Sequence, residues 1–178
     1  MKLTIALLAA GIALGAQPPL KAVSTGSTSE KALLNFSAIT DLEKQLDQKI
    51  SMAGGSDPML LLGEARALYL AGYGAVVTQE VSLVMSPTIS PFKSQITPQE
   101  VAQTHQRKVA RLPLLKQTMR DMWSSAASSL TMVPPNEQIV LAVRLLYKSW
   151  EDTKGLPGQI ILKGTRAAGL SGIQTEEQ

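Results

Sequence analysis

The chain has 178 residues, of which 44% are hydrophobic, 17% charged and 4% aromatic, a globular composition thin in aromatics. Its 17 Lys and Arg against 14 Asp and Glu leave a net charge of +3, too weak a balance to point to nucleic acid or an acidic polymer as partner. The absence of cysteine excludes disulfides, thiol catalysis and thiolate metal sites, and the single histidine, His105, excludes a multi-His metal centre.

The chain opens as a secretory leader: Lys2 supplies a positive start, Leu3 to Leu14 is uncharged and apolar, and Ala13, Gly15 and Ala16 are small residues before Gln17, Pro18 and Pro19. Leu3 to Leu14 is shorter than the ~20 residues a helix needs to cross the hydrocarbon core, so a cleaved signal over 1–16 is expected rather than an anchor. Cutting after Gly15 puts Ala13 and Gly15 at the two small-residue positions, whereas cutting after Ala16 puts the larger Leu14 at one of them; the exact site stays open. With no cysteine after the apolar stretch, a lipid thioether has no acceptor. Losing Lys2 brings the mature chain close to neutral. Arg144 interrupts the longest later apolar run, Ile139 to Tyr147, so no integral membrane segment is expected after cleavage.

Residues 17–29, rich in Pro, Ser, Thr and Gly, read as a flexible linker. Ser27 to Glu30 fits a capping box ahead of an amphipathic helix with the stripe Ala32, Phe36, Ile39, Leu42, Leu46 and Ile50, ended by Gly54 and Gly55. Leu60 to Leu70 and Ala75 to Val84 then read as a β-hairpin turning at Ala71 to Gly74. Pairing Leu70 with Ala75 sets Arg66 opposite Gln79 and Glu64 opposite Val81, which collects Glu64, Arg66 and Gln79 in the middle of an otherwise apolar face.

A Pro-rich loop, Ser86 to Pro98, feeds a second helix start: Thr97, Pro98 and Glu100 occupy the cap, first and third positions of a capping box. Val101, His105, Leu112, Leu115, Met119, Trp123, Ala126 and Leu130 fall in a sector roughly 80° wide. The spacing predicts one long helix from Pro98 to about Leu130, kinked at Pro113, with two helices broken at Leu112 as the alternative. Gln138 to Tyr147 suits a buried strand or a helix; the strand is favoured, followed by a loop over Lys148 to Gly158 and a strand at Gln159 to Lys163. Residues 166–178 read as a frayed tail. The expected fold is therefore α+β over 30–165, with an N-terminal helix, a hairpin, a long Pro-kinked helix and a second hairpin, both helices on one face of an antiparallel sheet.

Two segments carry a likeness: Tyr69, Leu70, Gly72, Tyr73 and Gly74 in the first hairpin, and Trp150, Glu151, Asp152, Thr153, Gly155, Leu156 and Pro157 in the second. They resemble a group of exported bacterial proteins of α+β pattern. The resemblance implies a periplasmic or secreted location and supports the strand at Gln138 to Tyr147, and it brings no activity, cofactor or catalytic residue.

Glu64, Arg66 and Gln79 are the most specific polar grouping, able to bind a small polar ligand or to satisfy one another. Tyr73 at the hairpin tip and Trp150 at the head of a loop are candidate aromatic contacts. Glu80 with Glu151 and Asp152 supplies carboxylates that glycoside hydrolysis would need about 5 to 10 Å apart. His105 has no orienting carboxylate at helical spacing, and Arg107, Lys108 and Arg111 read as a solvated basic face. No phosphate loop or cofactor motif is present, so no cofactor is expected. The function expected is a non-catalytic binding or interaction module of the bacterial cell envelope, its partner an envelope protein or a small polar ligand. The alternative is a small carboxylate-dependent hydrolase of an envelope polymer.

Overall fold

The structure, a computed structural model, describes the backbone of residues 26–178 and the side chains from Phe36 onward. The expected leader and most of the expected linker lie outside the described residues.

Among the described residues, two α-helices and a mixed sheet of six strands make an α+β fold. Helix α1 spans Gly26–Met52. It starts before the expected cap, so Ser27 lies inside it. Its apolar stripe packs from Leu42 onward: Leu42, Leu46 and Ile50 are buried, Ile39 is half-buried and Phe36 is 71% exposed. The chain then forms β1 (Leu60–Leu61), β2 (Arg66–Leu70) and β3 (Gly74–Ser82). Helix α2 (Pro98–Ser129) follows, then β4 (Gln138–Leu145), β5 (Gln159–Thr165) and β6 (Gln174–Glu177).

Helix α2 begins where its capping box predicts. The Thr97 hydroxyl accepts from the Glu100 amide, and the Glu100 carboxylate accepts from the Thr97 amide at 3.0 Å. The helix runs unbroken through Pro113, whose missing N–H costs one hydrogen bond that burial of Leu115, Met119, Met122, Trp123 and Ala126 offsets. Before Pro113 the buried line passes through Thr104 and Lys108 instead of Val101 and His105, both of which are half-buried.

The expected hairpin forms with its register moved by one residue. Leu70 pairs with Gly74, Leu68 with Val76 and Arg66 with Thr78. Gly74 belongs to the ladder instead of the turn because β3 and β4 approach closely there: a Cβ on Gly74 would stand 1.9 Å from the Gln138 carbonyl oxygen, and its φ is +133°. A slip of one residue reverses every side chain. Ala75, Val77, Gln79 and Val81 therefore face the helices, while Arg66, Leu68, Val76, Thr78 and Glu80 face away.

The expected single strand Leu60 to Leu70 is broken. Leu60 pairs with Ser82 and Arg66 with Thr78, so two extra residues loop out around Gly63 and Glu64. The buried Gln79 amide fills this bulge, Nε2 donating to the Gly63 carbonyl at 2.7 Å. On the free edge of β2, the Ala65 and Ala67 amides donate to Asp47 and Glu43 of α1, so side-chain carboxylates occupy donors that would otherwise recruit another strand.

The sheet is mixed where an antiparallel one was expected: β3 and β4 are parallel, Glu80 beside Arg144 and Val76 beside Val140. The connection through α2 carries the chain back across the sheet, which is what a parallel pair requires. β4 and β5 form the expected antiparallel second hairpin pair. The expected frayed tail is also corrected, since two short 3-10 turns lead into β6, which pairs with β5 and tethers its acidic side chains through Lys116–Glu177 at 2.6 Å and Lys163–Glu176. Between helices and sheet, Trp123 anchors the core by donating from Nε1 to the Ile139 carbonyl at 2.9 Å.

Candidate functional site

The register decides which candidate residues meet. Glu64 and Arg66 stand on the face away from the helices and pair at 3.0 Å, their side chains 75% and 70% exposed. Glu80 and Arg144, side by side on the parallel strands, pair at 3.4 Å on the same face. Together with Gly63, Thr78, Ala142 and Gln159 they line an open depression of about 390 Å3. Gln79 contributes to its wall from the strand, but its amide points to the helix side and plugs the bulge, so it is not a third member of a polar face.

This depression continues into an apolar surface. By register, Leu68, Leu70, Val76, Val140, Ala142 and Ile161 share the same side of β2 to β5, and Leu68 and Leu70 are 48% and 47% exposed. Each acid on the face has a basic neighbour: Glu64 with Arg66, Glu80 with Arg144, and Glu176 with Lys163.

Tyr73 and Trp150 lie at opposite ends of the sheet. Tyr73 sits at the tip just before β3 and is 48% exposed, while Trp150 follows β4 and is half-buried. Since β3 and β4 are parallel, the start of one and the end of the other are far apart along the strand direction. They do not frame one ligand.

The loop after β4 holds the chemistry that sequence reasoning missed. Lys108, read as part of a solvated basic face, is fully buried and forms an ion pair with Glu151, whose side chain is 2% exposed. The Lys108 ammonium also lies 4.7 Å from the centre of the Tyr147 ring. Burial, reinforced by the Glu151 charge, raises the Tyr147 phenol to about 12, and its hydroxyl donates to the Pro157 carbonyl at 2.7 Å. His105 Nδ1 meets the Asp152 carbonyl at 2.9 Å, and Asp152 accepts from the Lys154 amide within its own turn. The only sequence signal for Lys108 was its spacing from Leu115 and Met119, which puts it on the buried line; its charge argued the other way.

Two carboxyls are held below the usual range, and both are structural. The Arg107 guanidinium, hydrogen-bonded to Asp57 at 2.8 and 2.9 Å, lowers that acid with help from Arg111. Glu100 is lowered to about 2 by the Lys93 ammonium and then by the Thr97 amide. A general acid needs the opposite direction, a carboxyl raised toward neutrality by desolvation. Glu64 and Glu80 pair with exposed arginines, Glu151 pairs with Lys108, and Asp152 caps a turn.

No family model, curated protein or solved structure matches this chain. Among the described residues no helix is long and apolar enough to cross a membrane.

Proposed function

We propose that the chain is an exported, non-catalytic interaction module of the bacterial envelope that works through the uncovered face of its sheet. The observation that carries this reading is the composition of that face: an apolar centre of exposed Leu68 and half-buried Val76, Ala142 and Ile161, flanked by the ion pairs Glu64–Arg66, Glu80–Arg144 and Lys163–Glu176. An apolar middle with a charged, solvated rim is the anatomy of a protein interface. The occupant it favours is a second copy of the chain. The face is charge-balanced, so two copies do not repel, and each rim pair offers both signs to its symmetry mate. Five strands ~4.8 Å apart and about seven residues long give two such faces a combined area of about 1,000 Å2, where specific interfaces begin. Export is supported by the leader pattern of Lys2, Leu3 to Leu14 and the small residues before Gln17.

Sedimentation equilibrium of the exported chain tests the surface. At concentrations on the order of 100 µM the expectation is a dimer, and Leu68→Glu with Ile161→Glu returns it to monomer without changing its circular dichroism. A monomer throughout, or a dimer untouched by the double substitution, contradicts the reading. The mass of the periplasmic product checks export: it should begin at Ala16 or Gln17, and a full-length cytoplasmic product removes the envelope assignment.

A further inference from the structure

A second cavity, of about 240 Å3, lies at the carboxyl ends of the parallel strands β3 and β4, next to the depression on the sheet face. Its apolar walls are Leu60, Leu62, Met85, Leu146 and Tyr147, and its polar members include Ser86, Lys148 and Glu151. Two of these carry buried oxygens without a partner among the described residues, Glu151 Oε1 and Ser86 Oγ. The other Glu151 oxygen is taken by Lys108. The Lys148 ammonium is fully engaged by the Ser86 and Pro87 carbonyls and the Thr88 hydroxyl, at 3.2, 2.9 and 2.9 Å, so it holds the 86–88 segment in place without turning toward Glu151.

An unsatisfied buried carboxylate oxygen costs stability, and chains retain such a group where something else meets it. Because Lys108 already balances the Glu151 charge, the complementary group is a neutral donor rather than a cation. The carbon walls demand an apolar body, and the volume, that of ~8 waters, limits it to a single ring or short branched chain. We infer that this cavity is a small-molecule site for a mainly apolar alcohol or phenol whose hydroxyl donates to Glu151 Oε1 and accepts from Ser86 Oγ. The carboxyl ends of parallel strands are where open sheets with helical crossovers habitually receive ligands. The site adjoins the end of the sheet face that carries the proposed interaction, since Ser82 and Leu146 continue the outward series of Glu80 and Arg144, but it does not rest on that reading.

The test is a titration of the 15N-labelled mature chain with p-cresol, toluene and benzoate, followed through backbone amides. p-Cresol should give saturable shifts at residues 60–62, 82–88 and 146–151. Toluene, which leaves the carboxylate unpaired, should bind at least about tenfold more weakly, and benzoate, an anion facing Glu151, should not bind. Ser86→Ala should weaken p-cresol about fivefold with the fold intact, since it deletes an atom with no internal partner. Leu62→Trp, at a position already 48% exposed, should fill the cavity and abolish the shifts. No saturable p-cresol shifts at these amides, toluene binding as well as p-cresol, or an affinity indifferent to Ser86→Ala would each overturn the assignment.

Discussion

Two lysine- or arginine-to-glutamate pairs in this molecule have the same chemistry and opposite meanings. Glu64–Arg66 stands in solvent on the open face of the sheet, whereas Lys108–Glu151 is sealed between α2 and the loop after β4. The exposed pair gives up little water and gains little; the buried pair has surrendered its hydration and is held by Coulomb attraction and the Tyr147 ring. The comparison teaches that the conspicuous charge cluster belongs to the surface available for recognition, and the unnoticed one to the architecture.

The largest effect expected is from breaking the buried pair on one side. Lys108→Met leaves Glu151 as an uncompensated buried anion and should cost about 3–5 kcal/mol in urea unfolding, while Lys108→Met with Glu151→Leu should recover most of that loss. Next is the backbone device that sets the register: Gly74→Ala forces a Cβ onto the Gln138 carbonyl at positive φ and should destabilise by at least about 1–3 kcal/mol. Smaller is the contribution of Glu100. Its folded carboxyl is lowered to about 2 from the usual 4.5, so it supports the fold above pH ~4.5 and loses that support as pH falls toward 2. Glu100→Gln should flatten the acid limb of a thermal-melting curve across that window. Tyr147 works at the other end: its phenol is raised to about 12 from 10, so stability is full below pH ~10 and declines toward 12, and Tyr147→Phe should remove that slope in melting curves. The smallest effect is Glu64→Ala with Arg66→Ala, which should move stability by about 0.5 kcal/mol or less, because both side chains are solvated.

Local signals were legible in proportion to how local their physics is. The Thr97–Glu100 capping box and the stripe from Leu115 to Leu130 placed α2 correctly, since caps and helical period depend on neighbours within four residues. The β4 and β5 pair was also readable from β-branched runs around a Gly and Pro loop. The parallel union of β3 with β4 was not, because nothing within either strand records which edge its partner will take after a 32-residue helix. That union in turn draws Gly74 out of the turn, and with it Arg66 leaves the side of Gln79 for the open face, where Arg144 joins Glu80. β6 was hidden by its acidic composition, which suits an exposed edge strand as well as a tail. Of the candidate site, Glu64 and Arg66 were legible as a pair, while Lys108 and Ser86 were masked by residue types that are usually exposed.

The central claim is that the sheet's two faces divide the labour, one packed for stability and the other open for a second copy. The chain contains no cysteine, so single spin labels can be placed at Arg66→Cys, on the rim of the open face, and at Val109→Cys, an exposed position on α2. Pulsed dipolar measurements should show a short, defined label-to-label distance at 66 and a much longer one at 109, since the helices lie on the far sides of the paired sheets. A distance at 109 shorter than that at 66, or no coupling at 66, would contradict the account.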